Sequence, residues 1–190
     1  NKDYEPYAIK RDTAISELLE KKNVVAYSFK DQVIFEEKEI TKADGLPYTV
    51  YTPFKNKWLE KYKTMAPVPE YDCAASFSNF YKSEFPFPTL EQIGFQESAI
   101  KVKDHNLKFI SNYQDIRDFP ALDQTSYLSP HLRFGTVSIR KLVNWAFRKN
   151  DVFLSELIWR EFFMQILFSF PRVVTQNFKK HANIFLQKRK

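Results

Sequence analysis

The spacing of hydrophobic and polar positions predicts a helix and then a strand at the start of the chain. Apolar residues recur at the interval of one helical face over 11–22, which predicts a helix there. The apolar run 24–28 is typical of a short buried strand, and 31–35 continues as extended chain. The helical apolar positions are Ala14, Ile15, Leu18 and Leu19.

Turn and capping signals divide the next part of the chain. The sequence Asp-Gly-Leu-Pro at 44–47 predicts a turn. Thr52 followed by Pro53 predicts an N-cap and a proline in the first helical turn, opening a helix through Trp58 and Tyr62. Residues 1–65 are therefore expected to be part of an α/β domain.

Four prolines and little periodicity predict a linker over 66–100. From 101 to 190 the pattern is helical. One apolar stripe is formed by Ile139, Leu142, Val143 and Ala146. Asp151 is expected to cap a long helix that reaches Phe168 and is apolar nearly all round, which predicts burial on most of its sides.

Composition adds an aromatic load and an uneven charge to this picture. Aromatic residues make up 17% of the chain, which suits a packed helical core or a pocket for flat ring systems. Residues 1–100 carry 13 Lys/Arg against 16 Asp/Glu, and residues 101–190 carry 16 against 7. The basic second half indicates a polyanion partner, or alternatively a solvated basic surface.

The single cysteine, Cys73, excludes an internal disulfide and favours a reducing compartment. No apolar run reaches the length of a membrane span, so no membrane partner and a cytoplasmic location are expected. The three histidines lie far apart without metal-ligand spacing, and no metal site is predicted.

Two strings carry candidate chemistry. In 125–135, Ser129 and Pro130 are typical of a helix start, where free amides and nearby hydroxyls would suit a phosphate group, and Gly135 would end that helix. An ordinary capped turn is the alternative. In 156–163, one helical face carries Glu156, Trp159, Arg160 and Phe163. The alternative is a structural Glu156–Arg160 pair with Trp159 in the core. Tyr113 and Arg117 precede the first string and could contact a nucleotide or a phosphate.

Five strings in order resemble the photolyase and cryptochrome family, and within it the class I photolyases for cyclobutane pyrimidine dimers. They are Tyr4–Asp12, Ser28–Val33, Asp44–Trp58, Arg117–Gly135 and Glu156–Phe162. The resemblance implies the C-terminal part of a Rossmann-like α/β antenna domain at 1–65, a linker at 66–100, and the mostly α-helical N-terminal half of the FAD-binding domain at 101–190.

The resemblance also implies residue roles. FAD would be held by Tyr113, Thr125, Ser126, Tyr127, Leu128, Ser129 and Phe153. Damaged DNA would be contacted by Arg117, Glu156, Trp159, Arg160 and Phe163, with Glu156 and Trp159 catalytic in a pocket for a flipped pyrimidine dimer. The implied reaction is light-driven splitting of the dimer by an electron from reduced FAD.

Glu156 favours a dimer repair enzyme, because cryptochromes and (6-4) enzymes of the family tend to carry Gln there. A cryptochrome-like blue-light receptor and a degenerate non-catalytic fragment are the alternatives. A folate antenna is not favoured, since Tyr7 and Ala8 stand at its contact positions; a deazaflavin or no antenna is left open. Both ends look cut, which predicts a fragment that is inactive alone and able to self-associate, from a monomeric parent.

Overall fold

The structure is a computed structural model that describes residues 1–71 and 73–179. Residues 180–190, the end of the predicted 101–190 part, lie outside the described residues. Short 3-10 turns occur at Ala74–Asn79, Ile110–Asn112 and Pro171–Val174. The α-helices are α1 (Pro6–Glu20), α2 (Tyr51–Met65), α3 (Tyr113–Ile116), α4 (Leu128–Arg133), α5 (Ile139–Ala146) and α6 (Asp151–Ser169).

Helix α6 is the central element of the fold. It packs against α2, α3, α5 and the turn Pro171–Val174, so its apolar residues are covered on several sides. This confirms the predicted long buried helix. The N-cap is Asn150, whose side chain accepts a hydrogen bond from Phe153 N at 2.9 Å. The predicted cap Asp151 is therefore wrong by one residue; it lies in the first turn, where the helix dipole favours a negative charge.

Helix α2 contributes a row of buried rings to the core. Trp58 and Tyr62 are each 1% exposed, and their rings stack with centroids 4.9 Å apart. The helix begins at Tyr51, and its N-cap is Val50 in an extended conformation without a side-chain cap. The predicted cap Thr52 is wrong, because Thr52 already lies inside the first turn. Pro53 is tolerated there, since the first amides of a helix have no acceptor within it.

The predicted strand over 24–28 is wrong. Residues 1–71 and 73–179 contain no β-strand, and one isolated bridge joins Thr41 to Pro47. Val25 and Tyr27 are 71% and 77% exposed. A strand needs a neighbouring strand for its hydrogen-bond ladder. Here Val24 N donates back to Leu19 O at 2.9 Å, and Lys2 N donates to Phe29 O at 3.0 Å just after the stretch, so neither bond belongs to a ladder. The Rossmann-like α/β character expected of 1–65 is thus not confirmed in the described residues.

The first helix also differs from its prediction. Helix α1 begins at Pro6, a residue favoured in the first turn, rather than at Arg11. The predicted apolar face is not covered, because Ile15 is 48% and Leu18 is 58% exposed. The turn at 44–47 is confirmed: Gly45 has φ +78°, and Lys42 N donates to Leu46 O at 3.0 Å.

A buried amide joins α2, α5 and the start of the predicted linker. Asn144 on α5 accepts hydrogen bonds from Tyr62 Oη at 2.7 Å and from Val68 N at 3.0 Å, and it donates to Val68 O at 2.9 Å. Residues 69–71 and 73–100 are exposed. The predicted stripe of α5 is confirmed as buried. Among the described helices, none has the length and apolar character to cross a membrane.

A buried carboxylate joins three parts of the chain. Glu161 on α6 is 3% exposed, and its Oε2 accepts from Ile34 N at 2.7 Å. Its Oε1 accepts from Phe35 N at 3.0 Å and from Trp58 Nε1 at 2.8 Å. Burial raises the pKa of Glu161 to about 7, and the three N–H donors oppose that rise. We refer to these four residues as the Glu161 cluster.

We expect the substitution Glu161→Gln to lower the free energy of unfolding by about 2–3 kcal/mol, because the amide cannot accept from all three donors. Urea unfolding measures this change. The control Glu60→Gln, at an exposed ion pair with Lys57 on α2, should change it by less than about 0.5 kcal/mol. A neutral outcome at position 161 would contradict the role given to the cluster.

We also expect the difference in stability between the wild type and Glu161→Gln to depend on pH. The pKa of Glu161 lies above its ordinary value of 4.5, so between pH 4.5 and 7 the folded chain holds a proton that the unfolded chain has lost. The contribution of Glu161 to stability is therefore fully present below pH 4.5 and falls as pH rises towards 7. The difference in unfolding free energy between wild type and Glu161→Gln should narrow over this range; a difference independent of pH would refute it.

Candidate functional site

A cavity of about 400 Å³ lies between α6, the start of α4 and the start of α3. Five of the seven residues predicted to hold a cofactor line it, together with Glu156 and Arg160 of α6. The five are Tyr113, Ser126, Leu128, Ser129 and Phe153. The five come from three separate parts of the sequence, and Gln32, which also lines the cavity, adds a fourth.

Aromatic rings form the side of the cavity near α3. Tyr113 is the first residue of α3, and its ring meets Phe153 edge-on, with centroids 5.3 Å apart. Phe153 is 4% exposed and lies in the first turn of α6, where the Asn150 cap fixes the backbone. Trp145 of α5 approaches Phe153 from another direction at 6.4 Å. The ring of Phe153 is therefore held between two other aromatic side chains.

Hydroxyl groups lie on the side of the cavity near α4. This helix begins at Leu128, and its N-cap is Tyr127 in the left-handed conformation with φ +53°. The predicted cap Ser129 is wrong: the left-handed Tyr127 turns the chain into the helix first, so Ser129 and Pro130 lie within it. The phenol of Tyr127 accepts from Lys103 Nζ at 2.9 Å, which anchors this residue outside the cavity lining.

The end of α4 follows its prediction. Gly135 has φ +68°, and Thr136 N donates to His131 O at 2.9 Å, closing the helix in the way that a glycine permits. Thr125 is exposed and, like Tyr127, is not among the residues that line the cavity.

An ion pair lies at the edge of the cavity. Arg117 Nη1 donates to Glu156 Oε1 at 2.6 Å, and the two side chains are 36% and 32% exposed. Glu156 raises the pKa of Arg117 through this hydrogen bond. The guanidinium also lies over the Tyr113 ring, 5.5 Å from its centroid. The pair joins residues 39 positions apart in the sequence.

Arg160 has a different partner from the one that an i,i+4 pair would provide. Its Nη1 donates to Gln32 O at 2.6 Å, and burial lowers the pKa of this guanidinium. The structural Glu156–Arg160 pair considered from spacing is therefore replaced by Glu156–Arg117. Arg160 instead ties α6 to the loop before the Glu161 cluster.

Trp159 lies within a group of aromatic rings on the side of α6 that faces α2. Tyr51 stacks on its indole with centroids 3.5 Å apart and planes 9° apart. Phe163 lies 5.4 Å from the indole at 24° and is itself 61% exposed. The indole is half-buried. Sequence reasoning gave no role to Tyr51, although it falls in one of the five strings.

Comparison with known proteins assigns the family. The family model for DNA photolyase matches residues 1–72. A deoxyribodipyrimidine photo-lyase of Halobacterium salinarum is 35% identical over 96% of this chain and 43% of its own length. One of Alkalihalophilus pseudofirmus is 28% identical over 85% of this chain and 38% of its own length. The chain belongs to the DNA photolyase family. It spans about two fifths of the length of these two relatives.

A solved photolyase has the same fold. The crystal structure of a bacterial class III photolyase from Agrobacterium tumefaciens matches with a TM-score of 0.62 and 24% identity. The match covers 97% of this chain and 43% of the other. The photolyase-family fold is therefore shown, and its described regular elements in this chain are helical.

We expect the ion pair and the cavity ring to differ in their contributions to stability. Phe153→Ala should lower the free energy of unfolding by about 3–4 kcal/mol, because it removes a buried ring. Arg117→Gln should lower it by less than about 1 kcal/mol, because a half-exposed pair is screened by water. Urea unfolding of both variants and of Glu156→Gln checks this. A large loss at Arg117 would make the pair structural rather than part of a binding site.

Proposed function

We propose that this chain forms one side of an FAD pocket and of the adjoining damage pocket in an enzyme that splits cyclobutane pyrimidine dimers in DNA. The observation that carries the proposal is the cavity that gathers Tyr113, Ser126, Leu128, Ser129 and Phe153 beside Glu156. The names of the curated relatives, which are photo-lyases, support the reaction class.

The residues around the cavity fit FAD by their chemistry. Hydroxyls of Ser126 and Ser129 suit phosphate oxygens, and the rings of Tyr113 and Phe153 suit a flat ring system. We include Thr125 and Tyr127 in the cofactor site through their place in the same string. Reduced FAD, once excited by light, would supply the electron that opens the cyclobutane ring. It would regain that electron when the two carbon–carbon bonds have broken.

The part of α6 that adjoins this cavity would receive the flipped dimer. Glu156 would accept hydrogen bonds from base N–H groups, and Trp159 would offer a flat surface for stacking. Arg117 would bind a DNA phosphate, and Phe163 and Arg160 would complete the contact with DNA. Without DNA, Arg117 and Glu156 bind each other at 2.6 Å. Binding of damaged DNA would therefore exchange this pair for a phosphate on Arg117 and a base edge on Glu156.

The cavity is open to solvent, and the chain spans about two fifths of the length of the Halobacterium salinarum relative. We therefore propose that the chain alone binds FAD weakly and repairs little DNA. The antenna chromophore is left open. A cryptochrome-like receptor would bind FAD without repair, and a non-catalytic fragment would fold without binding FAD. The experiments below distinguish these functions.

The first prediction concerns FAD. We expect the chain to quench the fluorescence of added FAD, and the double variant Ser126→Ala, Ser129→Ala to bind it about 10-fold more weakly through loss of two hydrogen bonds. Thr64→Ala, an exposed hydroxyl on α2, is the matched control and should bind as wild type does. If all three chains bind FAD equally, the proposal that the two serines bind its phosphates is contradicted.

The second prediction concerns repair. We expect a chimera in which this chain replaces the matching part of the Halobacterium salinarum photo-lyase to repair thymine dimers under light. Glu156→Gln in that chimera should reduce the repair rate about 10-fold, because a charge-assisted hydrogen bond is weakened. Bound-flavin absorbance verifies folding. A chimera that holds flavin but does not repair dimers would favour the receptor, and one that melts cooperatively but holds no flavin would favour the non-catalytic fragment.

A further inference from the structure

The indole of Trp159 is oriented by a residue from a distant part of the chain. Tyr51 is the first residue of α2, and its ring lies parallel to the indole, with 9° between planes and 3.5 Å between centroids. Phe162 meets the same indole edge-on, at 5.6 Å and 77°. One face of the indole is thus covered by Tyr51, so a dimer cannot stack on that face.

The Tyr51 ring is itself fixed at its far end. Its hydroxyl lies 2.7 Å from both the carbonyl oxygen and Oγ of Ser155, one turn before Trp159 on α6. The phenol donates to the carbonyl, and the serine hydroxyl can donate to the phenol oxygen. Burial raises the pKa of Tyr51, which keeps the donor proton in place. The ring can therefore neither slide along the indole nor rotate away from it without losing these hydrogen bonds.

We propose that Tyr51 is a positioning residue for the damage pocket: its stacked ring and its hydrogen bonds to Ser155 hold the Trp159 indole in the plane that accepts a pyrimidine dimer. The inference rests on the proposed function, because it assigns the pocket to Trp159. It adds Tyr51 of α2 to predicted site residues that all lie within 113–163. Tyr51 acts through Trp159 and does not touch the dimer.

The test measures the orientation of the indole and the recognition of dimers separately. The 190-residue chain is labelled with 5-fluorotryptophan, and the fluorine resonance of Trp159 is assigned by its loss in Trp159→Phe. Affinity is measured by fluorescence anisotropy for two oligonucleotides of the same sequence, one with a thymine dimer and one undamaged. The ratio of the two affinities is the dimer discrimination.

The variants separate the ring from its hydroxyl. Tyr51→Leu should shift the Trp159 resonance through loss of the stacked ring's magnetic field, and should lower dimer discrimination about 2–10-fold, the range of an aromatic pair. Tyr51→Phe keeps the ring and should lower discrimination less. Tyr48→Leu is the matched control, since half-buried Tyr48 packs edge-on against Phe54. It should leave both readouts unchanged.

The outcomes distinguish this inference from the proposed function. In the background of Trp159→Ala, Tyr51→Leu should have no further effect on discrimination, because its action passes through the indole. If Trp159→Ala lowers discrimination and Tyr51→Leu and Tyr51→Phe do not, the inference is overturned and the proposed pocket stands. If Trp159→Ala has no effect on discrimination, the proposed pocket is contradicted, and Tyr51 has no functional role through it.

Discussion

The relative arrangement of loop 34–35, α2 and α6 depends on the hydrogen bonds to the buried carboxylate of Glu161. Removing a carboxylate from water is costly, and here three N–H donors from two other segments offset part of that cost. Those donors can meet one carboxylate only if loop 34–35, α2 and α6 keep one relative position. Gln165 adds a fourth contact by donating to Phe35 O at 3.0 Å. The cluster therefore specifies how α2 and α6 pack, beyond what nonspecific burial of rings would do.

The aromatic content of the core has a related consequence. Flat rings pack in a limited number of ways, and α2 and α6 meet through Phe54 and Phe162 with centroids 5.2 Å apart. Trp58 is involved in both kinds of contact, since its ring stacks on Tyr62 and its N–H binds Glu161. The core rings directly beneath Tyr51 and Trp159 therefore set the orientation of these two rings at the site.

Local patterns in the sequence predicted the helices, and nonlocal contacts explain most of the failures. The 3.6-residue period found α5, a capping signal found α2, and a long apolar run found α6, because a helix is stabilised by bonds between near neighbours. The strand at 24–28 needs a ladder partner that a local pattern does not reveal. The caps at Thr52, Ser129 and Asp151 were each misplaced by one or two residues. Helices α2 and α4 begin after Val50 and Tyr127 without a side-chain cap, and the neighbouring Asn150 caps α6.

At the candidate site too, local patterns found some residues, and residues with nonlocal partners were missed. Ser126, Leu128 and Ser129 reach the cavity because the short string that carries them also forms the start of α4. Glu161 and Tyr51 were missed, because their partners lie about a hundred residues away and no spacing rule connects them. The signal that could have found Glu161 is a lone carboxylate on an almost wholly apolar helix, which is expensive to bury without a polar partner.

Helix α6 distributes these roles by its geometry alone. Successive residues point about 100° apart, so Trp159, Arg160 and Glu161 face α2, loop 30–33 and the core, respectively. Along the axis, Phe153 at the cavity and Trp159 at the aromatic group are separated by about 9 Å. One rigid element therefore sets the distance between the proposed flavin and damage pockets. Glu161 lies on the same helix and holds it in the core. The buried hydrogen bonds of Glu161 and the spacing of the site residues therefore both depend on α6.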